Sequence, residues 1–198
     1  MPQTPSPGSR RSSARLGFDP IAEARRQWEE HGWGDVAPAM AVVTAVMRVQ
    51  QIFLAAADAA LRPVGLTFAR YEVLMLLSFT RRGELPLGKV GQRLQVKPAS
   101  ITNAVDRLEA SGLVERVANP VDGRGVLACI TPAGRTLAAS ATELMNRQVF
   151  ADVPMDRTDL RALFDRLTPL RRAAGDFAEV PGERMATATG PAGARQLL

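Results

Sequence analysis

The stretch Leu87–Gly112, LGKVGQRLQVKPASITNAVDRLEASG, decides the fold. Ile101, Val105 and Leu108 recur at i, i+4 and i+7, the spacing of one helical face. Pro98 suits a first helical position and Gly112 a left-handed stop, so a helix is predicted over Pro98–Ser111. A shorter helix, Leu87–Leu94, precedes it across a tight turn at Gln95 and Val96. Two helices joined so closely make a helix-turn-helix, whose second helix enters the major groove by its N-terminal end. Off the apolar stripe lie Lys97, Ser100, Thr102, Asn103 and Arg107, which offer donors to phosphates and hydrogen-bonding groups to base edges. Pro98 and Ala99 suit contact with thymine methyl groups. The alternative for Asp106 and Arg107 is a solvated pair on the helix surface. Three-helix units of this kind also occur in enzymes and interaction domains.

Beyond this unit, Leu113–Val117 and Val126–Thr131 read as short strands. Between them, Ala118–Gly125 carries the turn signals Asn119-Pro120 and Asp122-Gly123. A β-hairpin directly after the second helix makes the unit winged. From Arg81 to Arg124 the chain places eight basic residues against five acidic ones, a local excess suited to phosphate neutralisation. Upstream, Thr67 caps a predicted helix Phe68–Thr80, with Tyr71, Leu74, Met75 and Leu77 inward. Val36–Leu61 is a long helix with two apolar stripes, one through Val43, Met47 and Leu54, the other through Val46, Val49 and Phe53. A helix apolar on two faces is buried on two sides, the second by another subunit. Helices at Ala133–Phe150 and Asp156–Phe177 complete a mainly α fold with a small β-hairpin wing.

The segments LTFARYEVLMLL, SITNAVDRLEASGLVER and DGRGVLACITPAG resemble the MarR family of bacterial transcriptional regulators over roughly residues 36 to 177. The resemblance implies a winged helix-turn-helix over 66–131 and a homodimer built through helices 36–62 and 133–177, within a domain spanning 35–178. It implies a double-stranded DNA partner with a palindromic operator, half-sites lying about 34 Å apart. It places Arg124 in the minor groove and has Asp122 brace the wing. Where relatives carry a second Arg or Lys between those two, this chain has Gly123. The implied function is a repressor released by a small ligand. The alternative is a constitutive architectural DNA-binding protein with no effector.

An added helix is predicted within 18–34, over Pro20–Glu30, capped by Asp19. It is similar to the N-terminal helix of the urate-responsive subset of that family. Trp28 matches the subset's tryptophan, and Glu72 stands where the subset has Asp. Ala104 replaces the subset's recognition-helix Arg, which removes the charge partner of urate. The resemblance therefore points to a small aromatic or phenolic ligand near Trp28, Met47, Arg70, Tyr71 and Glu72. The alternative is that Trp28 and Tyr71 only pack the added helix.

The 198 residues carry a formal net charge of +5, with one cysteine and one histidine. Cys129 excludes an internal disulfide framework and suits a reducing compartment. One histidine and one cysteine disfavour a protein-built metal site, and no phosphate loop or nucleophile–base pair marks an enzyme. No cofactor and no catalytic residue is expected. Alternation along its strand turns Cys129 outward, with nothing nearby to activate a thiolate. Arg48 and Asp58 interrupt the apolar run, so no membrane association is expected, and the implied location is the cytoplasm, on the nucleoid. Residues 1–17 and 179–198, rich in Pro, Gly, Ser and Ala, read as disordered tails, the first of them basic.

Overall fold

A computed structural model describes residues 16–120 and 125–178. Residues 1–15 and 179–198 of the expected tails, and the tip residues Asp122 and Arg124, lie outside them. The helices are α1 (Pro20–Glu30), α2 (Ala37–Leu61), α3 (Phe68–Ser78), α4 (Leu87–Leu94), α5 (Pro98–Ala110), α6 (Pro132–Met145) and α7 (Arg157–Ala173). The strands are β1 (Glu84–Pro86), β2 (Val114–Ala118) and β3 (Val126–Ile130). The chain divides into two units, one ending at Phe53 and one beginning at Leu54.

The Asp19 cap forms as expected, and Thr131 and Asp156 cap the last two α-helices. The Asp19 carboxylate accepts from Ile21 N–H at 2.9 Å. Thr131 Oγ1 accepts from Gly134 N–H at 3.0 Å. The Asp156 carboxylate accepts from Thr158 and Asp159 N–H, each at 2.8 Å. Thr67 occupies its N-cap position without a side-chain capping bond. Asp58, ten residues upstream on α2, instead accepts from Phe68 N–H at 2.7 Å. A polar residue inside the apolar run thus ties α2 to the start of α3. The predicted helix Ala133–Phe150 holds regular α geometry to Met145 and then widens to a π-helical turn over Asn146–Phe150.

The core lies in the second unit. It joins Ala57, Ala60 and Leu61 of α2 to Leu74 and Leu77 of α3, Val90 of α4, Val105 and Leu108 of α5, and Ala141 and Met145 of α6. The sheet departs from the expected two-stranded hairpin, because β1 adds a third strand in the order β1-β3-β2, all antiparallel. Ile130 N–H donates to Gly83 O at 2.8 Å, fastening the wing to the segment before α4. Gly134 fits only as glycine, since a Cβ there would lie 2.1 Å from Leu113 O. Ala128 and Ile130 are buried as alternation requires, and Cys129, on the other face beside Glu84 and Glu115, is partly exposed.

Most of α2 faces solvent. Val42, Val43, Val46, Met47, Val49, Ile52, Phe53 and Leu54 are all exposed. The two predicted stripes therefore merge into one open apolar surface along the middle of the helix. By length and composition the helical run Ala37–Val64 is apolar enough to cross a membrane, despite Arg48 and Asp58. Its last turns are committed to the protein core through Ala57, Ala60 and Leu61. In the first unit, Trp28 meets Trp33 edge-on at 5.4 Å, and Trp33 stacks with His31 at 5.9 Å.

Candidate nucleic-acid interface

The helix-turn-helix turn closes at Gln95, which adopts φ 56°, the left-handed conformation that ends α4 in one residue. Val96 N–H then donates to Gly91 O at 3.2 Å. Pro98 takes the first turn of α5, where its missing N–H costs nothing. Burial divides the helix cleanly. Ile101, Ala104, Val105 and Leu108 are buried. Lys97, Pro98, Ala99, Ser100, Thr102, Asn103 and Arg107 are exposed. No side chain caps the N-terminus of α5, so its positive dipole end is presented together with Lys97 and Ser100, an arrangement suited to phosphate.

The ion pairs sort the basic residues. Arg82 pairs with Glu84 at 3.0 Å. Arg116 pairs with Asp106 at 2.6 Å and also with Glu109. The solvated Asp106–Arg107 pair considered from sequence is therefore not the one formed: Asp106 turns to the wing strand. Among the described residues Arg81, Lys89, Arg93, Lys97 and Arg107 are in no ion pair, which leaves their charge available to a polyanion.

An open cleft of about 680 Å³ runs between the start of α3 and α5, lined by Thr67, Arg70, Ser100, Asn103, Ala104 and Arg107 among others. Arg70 Nε donates to Thr67 Oγ1 at 3.2 Å. Of the five residues expected at a ligand, Arg70 alone lines this cleft. Tyr71 is in the core, its hydroxyl 3.1 Å from that of Thr142. Glu72 is half-buried, and the loss of hydration pushes its carboxyl up from the ordinary value. Trp28 and Met47 belong to the first unit, Met47 being well exposed. Burial, and then the nearby Glu84 carboxylate, push the Cys129 thiol up. Among the described residues no group of acidic, His and Cys side chains could hold a metal ion.

A MarR family model matches residues 64–125. Sco5413, a MarR family transcriptional regulator from Streptomyces coelicolor, is 49% identical, superposes with a TM-score of 0.66, and is matched over 72% of this chain and 99% of its own. The chain belongs to the MarR family of transcriptional regulators. A second MarR-fold structure, CouR of Rhodococcus jostii RHA1 bound to p-coumaroyl-CoA, is 29% identical with a TM-score of 0.60, over 70% of this chain and 95% of CouR. The transcriptional repressor Rv2887 of Mycobacterium tuberculosis is 32% identical over 48% of this chain and 66% of its own length. Across the curated relatives, the matched segment spans 41% to 66% of their length.

Within this MarR fold, sequence reasoning missed β1 and the part played by Arg116. Glu84-Leu85-Pro86 is too short to alternate, and it ends in a proline, which argues against a strand. The arginine was legible only as one more positive charge, because its two carboxylate partners lie across the α5–β2 turn.

Proposed function

We propose that this MarR family chain is a sequence-specific transcriptional repressor that binds a palindromic operator as a homodimer and is released by a small aromatic or phenolic ligand. The observation that carries the DNA reading is the division of α5, which buries its apolar stripe and exposes every described residue expected to touch DNA. In this reading 66–131 reads the operator, while helices 36–62 and 133–177 hold two copies together. The exposed apolar residues of α2 supply a surface for a second copy, and Leu160, Leu163 and Phe164 of α7 are exposed as well.

The ligand reading rests on the cleft that Arg70 and Arg107 share. Two guanidinium groups beside Thr67, Ser100 and Asn103 suit a carboxylate or phenolate. A ligand there would occupy Ser100, Asn103 and Arg107, which are also offered to DNA. Release then follows from differential affinity, and a change of tens of fold needs about 2 kcal/mol of coupling. CouR is bound to p-coumaroyl-CoA, which makes phenolic acids and their thioesters the first compounds to screen. Substitutions at Trp28, Met47, Tyr71 and Glu72 test whether the ligand reaches beyond Arg70.

Selection of bound DNA from a random pool is the decisive experiment. An enriched inverted repeat is the expected result, and recovery of unrelated sequences would overturn sequence-specific reading. Asn103→Ala should then relax the preference at one position per half-site by about 1–3 kcal/mol. Phenolic compounds should release the selected DNA at constant salt. If none does, the constitutive architectural reading replaces the ligand-responsive one.

A further inference from the structure

Arg116 stands on β2, yet all the side-chain partners it has among the described residues lie on the recognition helix α5. Its Nη2 lies 2.6 Å from the Asp106 carboxylate and its Nη1 meets that of Glu109. Nη2 also donates to Thr102 O at 3.4 Å, and the Arg116 backbone N–H donates to Glu109 at 3.2 Å. Thr102, Asp106 and Glu109 fall at i, i+4 and i+7, so a single guanidinium spans two turns along one stripe of α5. The side chain keeps 23% exposure, while Asp106 and Glu109 keep 56% and 40%. Such a planar fork fixes direction as well as distance. The covalent link between the two elements is only Ser111 to Leu113, where Gly112 turns at φ 68°. A short glycine turn leaves the angle between helix and hairpin to the contacts across it.

We propose that Arg116 is a positioning residue that sets the angle between the recognition helix and the wing, so that both meet one DNA site in register. The proposal rests on the DNA-binding reading above. It assigns Arg116 no contact with DNA. Its charge is spent on Asp106 and Glu109, and the three together are net negative. Removing the clamp should therefore harm sequence-selective binding far more than general attraction to phosphates.

Two variants separate this from simpler roles, with affinities measured on the selected site and on random duplex over a range of salt. In Arg116→Ala, binding to the selected site should fall at least tenfold, binding to random DNA should change by less than threefold, and the salt dependence should keep its slope. Equal losses on both DNAs, with the slope reduced by about one, would make Arg116 a phosphate contact and overturn the proposal. The double variant Asp106→Asn, Glu109→Gln alters only exposed carboxylates and retains Arg116, so it guards against a folding defect. It makes each chain more positive, and charge alone requires tighter binding to every DNA. Loss of the clamp requires weaker binding to the selected site. Tighter binding to both DNAs would sink the idea, and Arg116→Lys, which keeps the charge without the fork, should behave as Arg116→Ala does. If the unsubstituted protein selects no sequence at all, it is the DNA reading that has failed, not the clamp.

Discussion

At Gly134 a single hydrogen atom decides whether the wing can close onto α6. A Cβ would stand 2.1 Å from Leu113 O and 2.9 Å from Ile130 Cγ1, both on segments fixed by the sheet and by the bond from Thr131 N–H to Leu113 O. The backbone cannot yield there as the end of a flexible side chain would. Gly134→Ala should therefore cost about 3 kcal/mol, read as a lowered urea midpoint at unchanged slope. Cys129 makes the opposite case, a residue whose chemistry is suppressed. Its sulfur lies 3.9 Å from a Glu84 carboxylate oxygen, and burial with that charge disfavours the thiolate. Alkylation by iodoacetamide at pH 8 should be slower than that of free cysteine, and Glu84→Gln should speed it several-fold. An alkylation rate equal to that of free cysteine would show that the thiol is not held in its neutral form.

At the scale of elements, what the sequence discloses follows how local each cause is. Asp19, Thr131 and Asp156 act within three residues of themselves, and the helices they start were readable from composition and spacing. The cap of α3 was not, because Asp58 approaches from ten residues away while Thr67 has the expected residue type at the expected place. The same holds for the interface. The exposed face of α5 follows from its own periodicity, whereas the clamp on that helix requires knowing that β2 returns beside it. The ion pairs of α1 are local again, and they carry a pH dependence. Glu23 is held down at about 2, from an ordinary 4.5, first by its bond from Arg26 and then by Gln27. A carboxyl lowered in the folded state adds stability that is complete above about 4.5 and is lost as pH falls towards 2. The helical chemical shifts of residues 20–30 should therefore weaken across that window. Glu23→Gln should remove the step, and an unchanged titration in that variant would assign the effect elsewhere.

At the scale of the whole molecule, the governing fact is apolar surface left open. Val42, Val46, Val49 and Phe53 on α2, together with Leu160, Leu163 and Phe164 on α7, are exposed although each belongs to a strongly formed helix. Open apolar surface on α2 favours association through that helix. Two-fold pairing would bury the α2 surface against its own copy, and isologous contact closes after two subunits and leaves no edge for further growth. Light scattering at micromolar concentration should thus give twice the chain mass of 21.3 kDa. Val46→Glu places a carboxylate in the middle of that surface on both copies at once, so each dimer must bury or oppose two charges, which costs several kcal/mol. The variant should shift to the single-chain mass or dissociate at much higher concentration. If, as proposed, each chain reads one half-site, its affinity for an inverted repeat should fall to that for a single half-site. Binding to random DNA should change far less. A Val46→Glu protein that stays dimeric would place the contact between copies elsewhere, and a native protein recovered only in detergent would assign the α2 surface to lipid.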